Sequence, residues 1–198
     1  MILNEKESYL GNPNVKRDGI AQQWQQSEVK EYAKCMKDPA YFAKTYCKII
    51  SLDKGLVNFK LYPYQEKMFK NFNDNRFSIV LACRQSGKSI SSVIYILWYA
   101  LFHSNKTIAI LANKGDTSRE MLSRLLLALE NVPFFLQPGA RVLNKGSMDC
   151  SWPIFHSMPT SSTRALQIQS FAQSMPYALH NHCPYFCPTP EDPPASLH

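Results

Sequence analysis

Apolar residues recur at helical spacing along the first half of the chain. The spacing predicts helices over VKEYAKCMKD after Ser27, over AYFAKTYC after Pro39 and over YQEKMFKNF at 64–72. LVNF at 56–59 is typical of a short strand or extended segment. The side chains predicted to face inward are Tyr32, Met36, Phe42, Tyr46, Met68, Phe69 and Phe72. Residues 1–60 are therefore predicted to form a helical N-terminal segment.

Two short apolar runs follow, FSIVLA at 77–82 and TIAILA at 107–112. Both are rich in β-branched residues, which favours buried parallel strands. A helical pattern comes after each run: ISSVIYILWYALFH after the first, and REMLSRLLLALE, capped near Asp116 or Thr117, after the second. This alternation predicts an α/β fold in which a parallel sheet is flanked by helices, with residues 61–150 as its core.

Composition narrows the class of protein. With 198 residues, 45% of them hydrophobic, the chain can build a core. No run reaches the roughly 18 apolar residues of a membrane span, and the charged N-terminus does not resemble a signal peptide. We therefore expect a cytoplasmic protein with free thiols at its six cysteines. The formal net charge of +7 permits a polyanionic partner.

Charged residues become rare after residue 150. No lysine follows Lys145, and residues 151–198 hold most of the 13 prolines. We expect 151–198 to be a proline-rich, low-charge tail that is either disordered or the product of a reading frame shifted after Cys150. The pattern His180-x-His182-Cys183-x-x-x-Cys187 contains the donor types of a zinc site. The prolines around it favour the tail interpretation.

The run Cys83-Arg84-Gln85-Ser86-Gly87-Lys88-Ser89 carries the clearest chemical signal. A phosphate-binding loop needs a glycine where the anion approaches the backbone, a lysine for the β- and γ-phosphates, and a hydroxyl for Mg²⁺. Gly87, Lys88 and Ser89 supply these groups, although the usual first glycine is replaced by Ala82. The alternative is a helix N-terminus that happens to contain Gly-Lys-Ser. Arg84 reaches the γ-phosphate, points to solvent or pairs with a surface carboxylate.

Several motifs occur in a characteristic order. They are LYPYQ at 61–65, CRQSGKS at 83–89, AILANKGDTSREML at 109–122, FLQPG at 135–139 and LNKGS at 143–147. Together they resemble the ATPase domain of terminase large subunits of tailed phages, most closely the contractile-tailed branch. The resemblance covers roughly residues 8–149. It implies a P-loop NTPase with a parallel sheet.

In that family the large subunit is an ATP-driven motor, oligomeric as a ring, that moves double-stranded DNA into the procapsid. The resemblance implies Mg²⁺ and ATP held by loop 83–89, with Lys88 on phosphate, Ser89 on Mg²⁺, Arg84 as an arginine finger in cis and Gln65 on adenine. The implied partners are DNA, the portal protein and the small terminase subunit. The implied location is the host cytoplasm, transiently at the portal.

The parent family is an ATPase and nuclease, but this sequence contains no apolar strand ending in Asp-Glu, the Walker B pattern that hydrolysis needs. We therefore expect a catalytically incomplete chain that binds ATP at most. Two alternatives stay open for its function: a fragment of a helicase-like DNA-dependent ATPase, and a non-catalytic module that binds DNA or the portal. A third is that the chain does not fold stably, since an incomplete sheet exposes an edge.

Overall fold

The computed structural model of the chain describes residues 7–20, 24–51, 54–103, 106–152 and 164–172. The helices in these ranges are α1 (Gln26–Lys37), α2 (Pro39–Tyr46), α3 (Pro63–Asp74), α4 (Lys88–Phe102) and α5 (Gly115–Glu130). The strands are β1 (Ser8–Tyr9), β2 (Asn12–Lys16), β3 (Lys48–Ser51), β4 (Gly55–Asn58), β5 (Thr107–Ala112), β6 (Gly139–Leu143), β7 (Ser147–Trp152) and β8 (Arg164–Ala172).

Local signals explain where the helices begin. The backbone N–H of Gln25 donates to Glu28 Oε2 at 3.0 Å before α1, and that of Ala40 donates to Asp38 Oδ1 at 2.8 Å at the start of α2. Pro39 and Pro63 stand in the first turns of α2 and α3, where a missing N–H is tolerated. The helices predicted from apolar spacing are confirmed to within a few residues at each end.

The strands form two hairpins and one larger sheet. β1 pairs with β2 and β3 pairs with β4, both antiparallel. The four-stranded sheet has the order β5-β8-β7-β6. β8 runs parallel to β5, with Thr107 opposite Gln167, and β7 is antiparallel to both of its neighbours.

Helix α4 lies at the centre of the hydrophobic core. Its Ile94, Leu97 and Leu101 are fully buried and belong to one cluster with the buried leucines of α5. Burying a side chain of this size stabilises the fold by about 1.5–3 kcal/mol. The indole N–H of Trp98 donates to the backbone carbonyl of Cys35 at 2.7 Å, which ties α4 to α1. This packing fixes the helix whose first residue is Lys88.

The predicted P-loop NTPase fold with a parallel sheet is wrong. Residues 77–82, predicted as the first buried parallel strand, form no strand, and Phe77, Ile79 and Leu81 are 83%, 96% and 85% exposed. The four-stranded sheet is mostly antiparallel, and the N-terminal segment contains two hairpins besides its helices. An apolar run is buried as a strand only where partner strands flank it, and the pattern of one segment does not specify partners.

One residue predicted to face the core, Met36 in α1, does not do so. Phe42, Met68 and Phe69 are buried as expected, but Met36 is 49% exposed. Cys35 is the buried residue of α1, and each residue turns a helix by about 100°. With Cys35 facing the core, Met36 faces away from it.

Candidate anion-binding site

Loop 83–89 leads from the extended segment 77–82 into α4. Gly87 is the N-cap of α4 and has a left-handed backbone, with φ of 77°. Gln85 is also left-handed, with φ of 62°. Glycine adopts this conformation without a steric penalty, whereas other residues do not. The N-terminus of this 15-residue helix carries partial positive charge and unpaired N–H groups.

Arg84, Gln85 and Lys88 line one surface cavity of about 610 Å³. The Lys88 ammonium donates to the backbone carbonyl of Cys83 at 3.0 Å, as does the Ser86 hydroxyl. In the part of the chain that the structure describes, neither Arg84 nor Lys88 forms an ion pair. Two cationic side chains at a helix N-terminus suit an anionic ligand.

A second groove of about 1060 Å³ adjoins the first cavity and shares Gln85 with it. The hairpin β3–β4 forms one side of the groove, and Tyr62, Tyr64 and loop residues 85–87 form the other. The rings of Tyr62 and Tyr64 are stacked, with centroids 5.8 Å apart and an interplanar angle of 8°. An apolar groove with flat aromatic walls suits a planar ring system.

Helix α3 contacts the loop through Tyr64 and Gln65, which end the segment LYPYQ and are called the Tyr-Gln motif from here on. The Tyr64 hydroxyl donates to the backbone carbonyl of Ser86, and burial raises the pKa of that hydroxyl, which keeps it protonated as a donor. Gln65 is 2% exposed, and its Oε1 accepts from the backbone N–H of Tyr62 at 2.9 Å. Its Nε2 lies beside Gly87, 2.8 Å from where a β-carbon there would be.

The structure thus brings six of the eight predicted site residues into two adjoining cavities. Arg84, Gln85 and Lys88 lie in the first, while Gln65, Ser86 and Gly87 line the second together with Gln85. Ser89 is exposed in the first turn of α4, and Cys83 is an exposed free thiol.

Sequence reasoning missed the role of Tyr62 and of the hairpin β3–β4 as walls of the groove. The aromatic residues around Pro63 were the available signal for the stacked pair. No signal in the sequence indicated that the hairpin lies beside the loop, because that contact depends on packing between segments distant along the chain.

No group of three or more His, Cys, Asp or Glu side chains that could hold a metal ion occurs among the described residues. The pattern at His180–Cys187 lies outside those residues. None of the described helices is both long enough and apolar enough to cross a membrane.

Comparison with models of known protein families finds no match for the chain. The resemblance to terminase large subunits therefore stays a prediction that rests on the ordered motifs alone.

Proposed function

We propose that loop 83–89 binds the triphosphate of ATP, and that the chain acts as the N-terminal part of a phage terminase large subunit. The observation that supports binding most is the pair Arg84 and Lys88 in one cavity at the glycine-capped start of α4. Guanidinium and ammonium groups at a helix N-terminus are the usual partners of phosphate oxygens. The proposal rests on this site and on the motif order, and not on the fold.

The groove beside the loop supports a nucleotide rather than a small anion. Its volume of about 1060 Å³ is at the upper end of that of ligand pockets. The stacked rings of Tyr62 and Tyr64 offer a flat apolar surface to a base. Gln65 would donate to adenine through its Nε2, while its Oε1 accepts from the backbone N–H of Tyr62.

Mg²⁺ fits this site as part of the nucleotide complex. The Ser89 hydroxyl, exposed in the first turn of α4, would be its one ligand from the loop. Bound Mg²⁺ neutralises phosphate charge. Lys88 would leave the Cys83 carbonyl, to which it now donates, and bind phosphate oxygen instead.

The chain is proposed to bind ATP without turning it over, since its sequence holds no apolar strand ending in Asp-Glu. The chain would then act as part of the packaging motor. It would be located in the host cytoplasm and transiently at the procapsid portal. The partners would be double-stranded DNA, the portal protein and the small terminase subunit.

Titration of the protein with a fluorescent ATP analogue and Mg²⁺ tests this function. Lys88→Ala is expected to weaken binding by roughly 10- to 100-fold, because a hydrogen bond to a charged group contributes about 1.5–3 kcal/mol. Lys145→Ala, at an exposed lysine outside the loop, is the matched control and should bind like the wild type. Absence of binding by the wild type at millimolar nucleotide, or equal binding by Lys88→Ala, would reject the proposal.

The net charge of +7 favours one other function, a module that binds DNA without nucleotide. Titration with double-stranded DNA at 50 and at 200 mM salt, with and without ATP, distinguishes this function from nucleotide binding. The DNA-binding module would be favoured if affinity for DNA fell steeply with rising salt concentration and if neither ATP nor Lys88→Ala changed that affinity.

A further inference from the structure

Loop 83–89 holds two residues in the left-handed backbone region, on either side of Ser86. Gly87 adopts this conformation freely, but Gln85, with φ of 62°, carries a β-carbon and is strained there. A strained backbone persists only where surrounding contacts determine it. The loop conformation therefore needs an external support.

Helix α3 supplies that support. Two of the hydrogen bonds of the loop are internal, from the Ser86 hydroxyl and from the Lys88 ammonium to the carbonyl of Cys83. A third comes from outside the loop, from the Tyr64 hydroxyl to the carbonyl of Ser86, 22 residues away in the chain. The ring that carries this hydroxyl is held in place by its stacking on Tyr62.

The direction of the Ser86 carbonyl fixes the direction of the next N–H group. The peptide bonds of the described residues are all trans, so the C=O of Ser86 and the N–H of Gly87 point in opposite directions. Because the carbonyl points at Tyr64, the N–H of Gly87 points away from α3. If this peptide turned over, a carbonyl oxygen would take the place of that N–H donor and would repel an anion.

We propose that Tyr64 is a positioning residue that holds the Ser86–Gly87 peptide with its N–H turned away from α3, so that this N–H stays available to an anion bound at loop 83–89. Tyr64 acts through the backbone and not by contact with phosphate. This role rests on the proposed function of the loop. It also assigns the Tyr-Gln motif a task apart from base recognition: Tyr64 orients the peptide, and Gln65 fills the space beside Gly87.

Tyr64→Phe keeps the stacked ring and removes the hydroxyl. We expect the ¹⁵N–¹H resonances of Ser86, Gly87 and Lys88 to shift in the ligand-free protein. Affinity for the fluorescent ATP analogue should fall about three- to tenfold, because a neutral hydrogen bond contributes a free energy of that size. Tyr99→Phe is the matched control, since it removes the hydroxyl of a tyrosine near the end of α4, where the ring is stacked on His103. It should leave both the loop resonances and the affinity unchanged.

A rescue distinguishes a hydrogen bond from a packing effect. Replacing Tyr64 by p-aminophenylalanine keeps a donor and should restore the wild-type resonances and affinity, whereas p-methylphenylalanine, of equal size without a donor, should behave like Tyr64→Phe. This pair serves equally if Tyr64→Phe itself does not fold. Wild-type loop resonances in the donor-free variants, or equal behaviour of the amino and methyl side chains, would overturn the proposal. The resonances are measured without nucleotide, so they test the role of Tyr64 even if the wild type fails to bind ATP.

Discussion

Gly87 is the residue on which the conformation of loop 83–89 depends most directly. Its φ of 77° is unfavourable for any residue with a β-carbon, and an added β-carbon would lie 2.8 Å from Gln65 Nε2. Gln65 is buried and hydrogen-bonded to Tyr62, so it has little freedom to retreat. Gly87→Ala should therefore lower the free energy of unfolding by at least about 1–2 kcal/mol and weaken nucleotide binding.

Urea unfolding and nucleotide titration of the same preparation measure both effects of Gly87→Ala. Gly146→Ala is the matched control, because φ at Gly146 is not in the left-handed region and the nearest atom to its added β-carbon is 3.8 Å away. It should change the unfolding free energy by no more than about 0.5 kcal/mol. Equal effects of the two substitutions would contradict the role assigned to Gly87.

At the residue scale, the sequence indicated which residue types form loop 83–89 but not which contacts hold the loop. Gly87, Lys88 and Arg84 could be picked out because loops that bind phosphate need these residue types at the start of a helix. The hydrogen bond from Tyr64 to Ser86 could not, since it joins residues 22 positions apart. Long-range contacts depend on how α3 and α4 pack, which local spacing does not contain.

Among the elements, helices followed their sequence signals, whereas strands followed theirs only in part. A helix satisfies its backbone hydrogen bonds within one segment, so apolar spacing and caps such as Asp38 are sufficient to predict it. A strand depends on partners elsewhere in the chain. The pattern placed β5 at the correct residues, but that strand was predicted to be buried and Ile110 is its one buried residue. The pattern also assigned 77–82 to a buried strand, although the side chains of Phe77, Ile79 and Leu81 face solvent.

Substitution of Ile79 tests this difference between the sequence pattern and the structure. Ile79 is 96% exposed, so Ile79→Lys removes almost no buried surface and should change the unfolding free energy by no more than about 0.5 kcal/mol. Ile110→Lys, in β5, is the matched comparison. Ile110 is 5% exposed, and burial of an unpaired ammonium there should lower stability by more than about 3 kcal/mol.

Chemical denaturation of both lysine variants beside the wild type gives the answer. A loss of several kcal/mol on Ile79→Lys would mean that residues 77–82 are buried in solution. A loss of unfolding free energy on Ile110→Lys, without a comparable loss on Ile79→Lys, would agree with the structure.

Across the whole molecule, side chains join parts of the chain that the sequence gives no reason to connect. The amide of Gln137 donates to the backbone carbonyls of Asn14, Leu129 and Val132 and accepts from the backbone N–H of Lys16. One buried side chain thus links the N-terminal hairpin to the end of α5. A glutamine in FLQPG carries no pattern that predicts such a role, because each of its partners is a backbone group.

Buried thiols give the whole molecule a predictable dependence on pH. Cys150 is fully buried, and burial raises the pKa of its thiol to about 12, while burial also raises the pKa of the Cys47 thiol. In the unfolded chain these thiols ionise near pH 9. Because the folded-state pKa lies above the unfolded one, their contribution is fully present below about pH 9 and is lost as the pH rises toward 12.

Each buried thiol should therefore lower the unfolding free energy by about 1.4 kcal/mol per pH unit above pH 9. Cys150→Ala removes one of these thiols. The difference in unfolding free energy between wild type and this variant should shrink steadily between pH 9 and pH 11, measured by urea denaturation under reducing conditions. Cys83→Ala, at an exposed position, should keep the wild-type slope.

If Cys150→Ala and the wild type lost stability in parallel, the thiol of Cys150 would have to ionise as easily in the folded protein as in the unfolded chain. That result would be incompatible with the burial of Cys150 in β7.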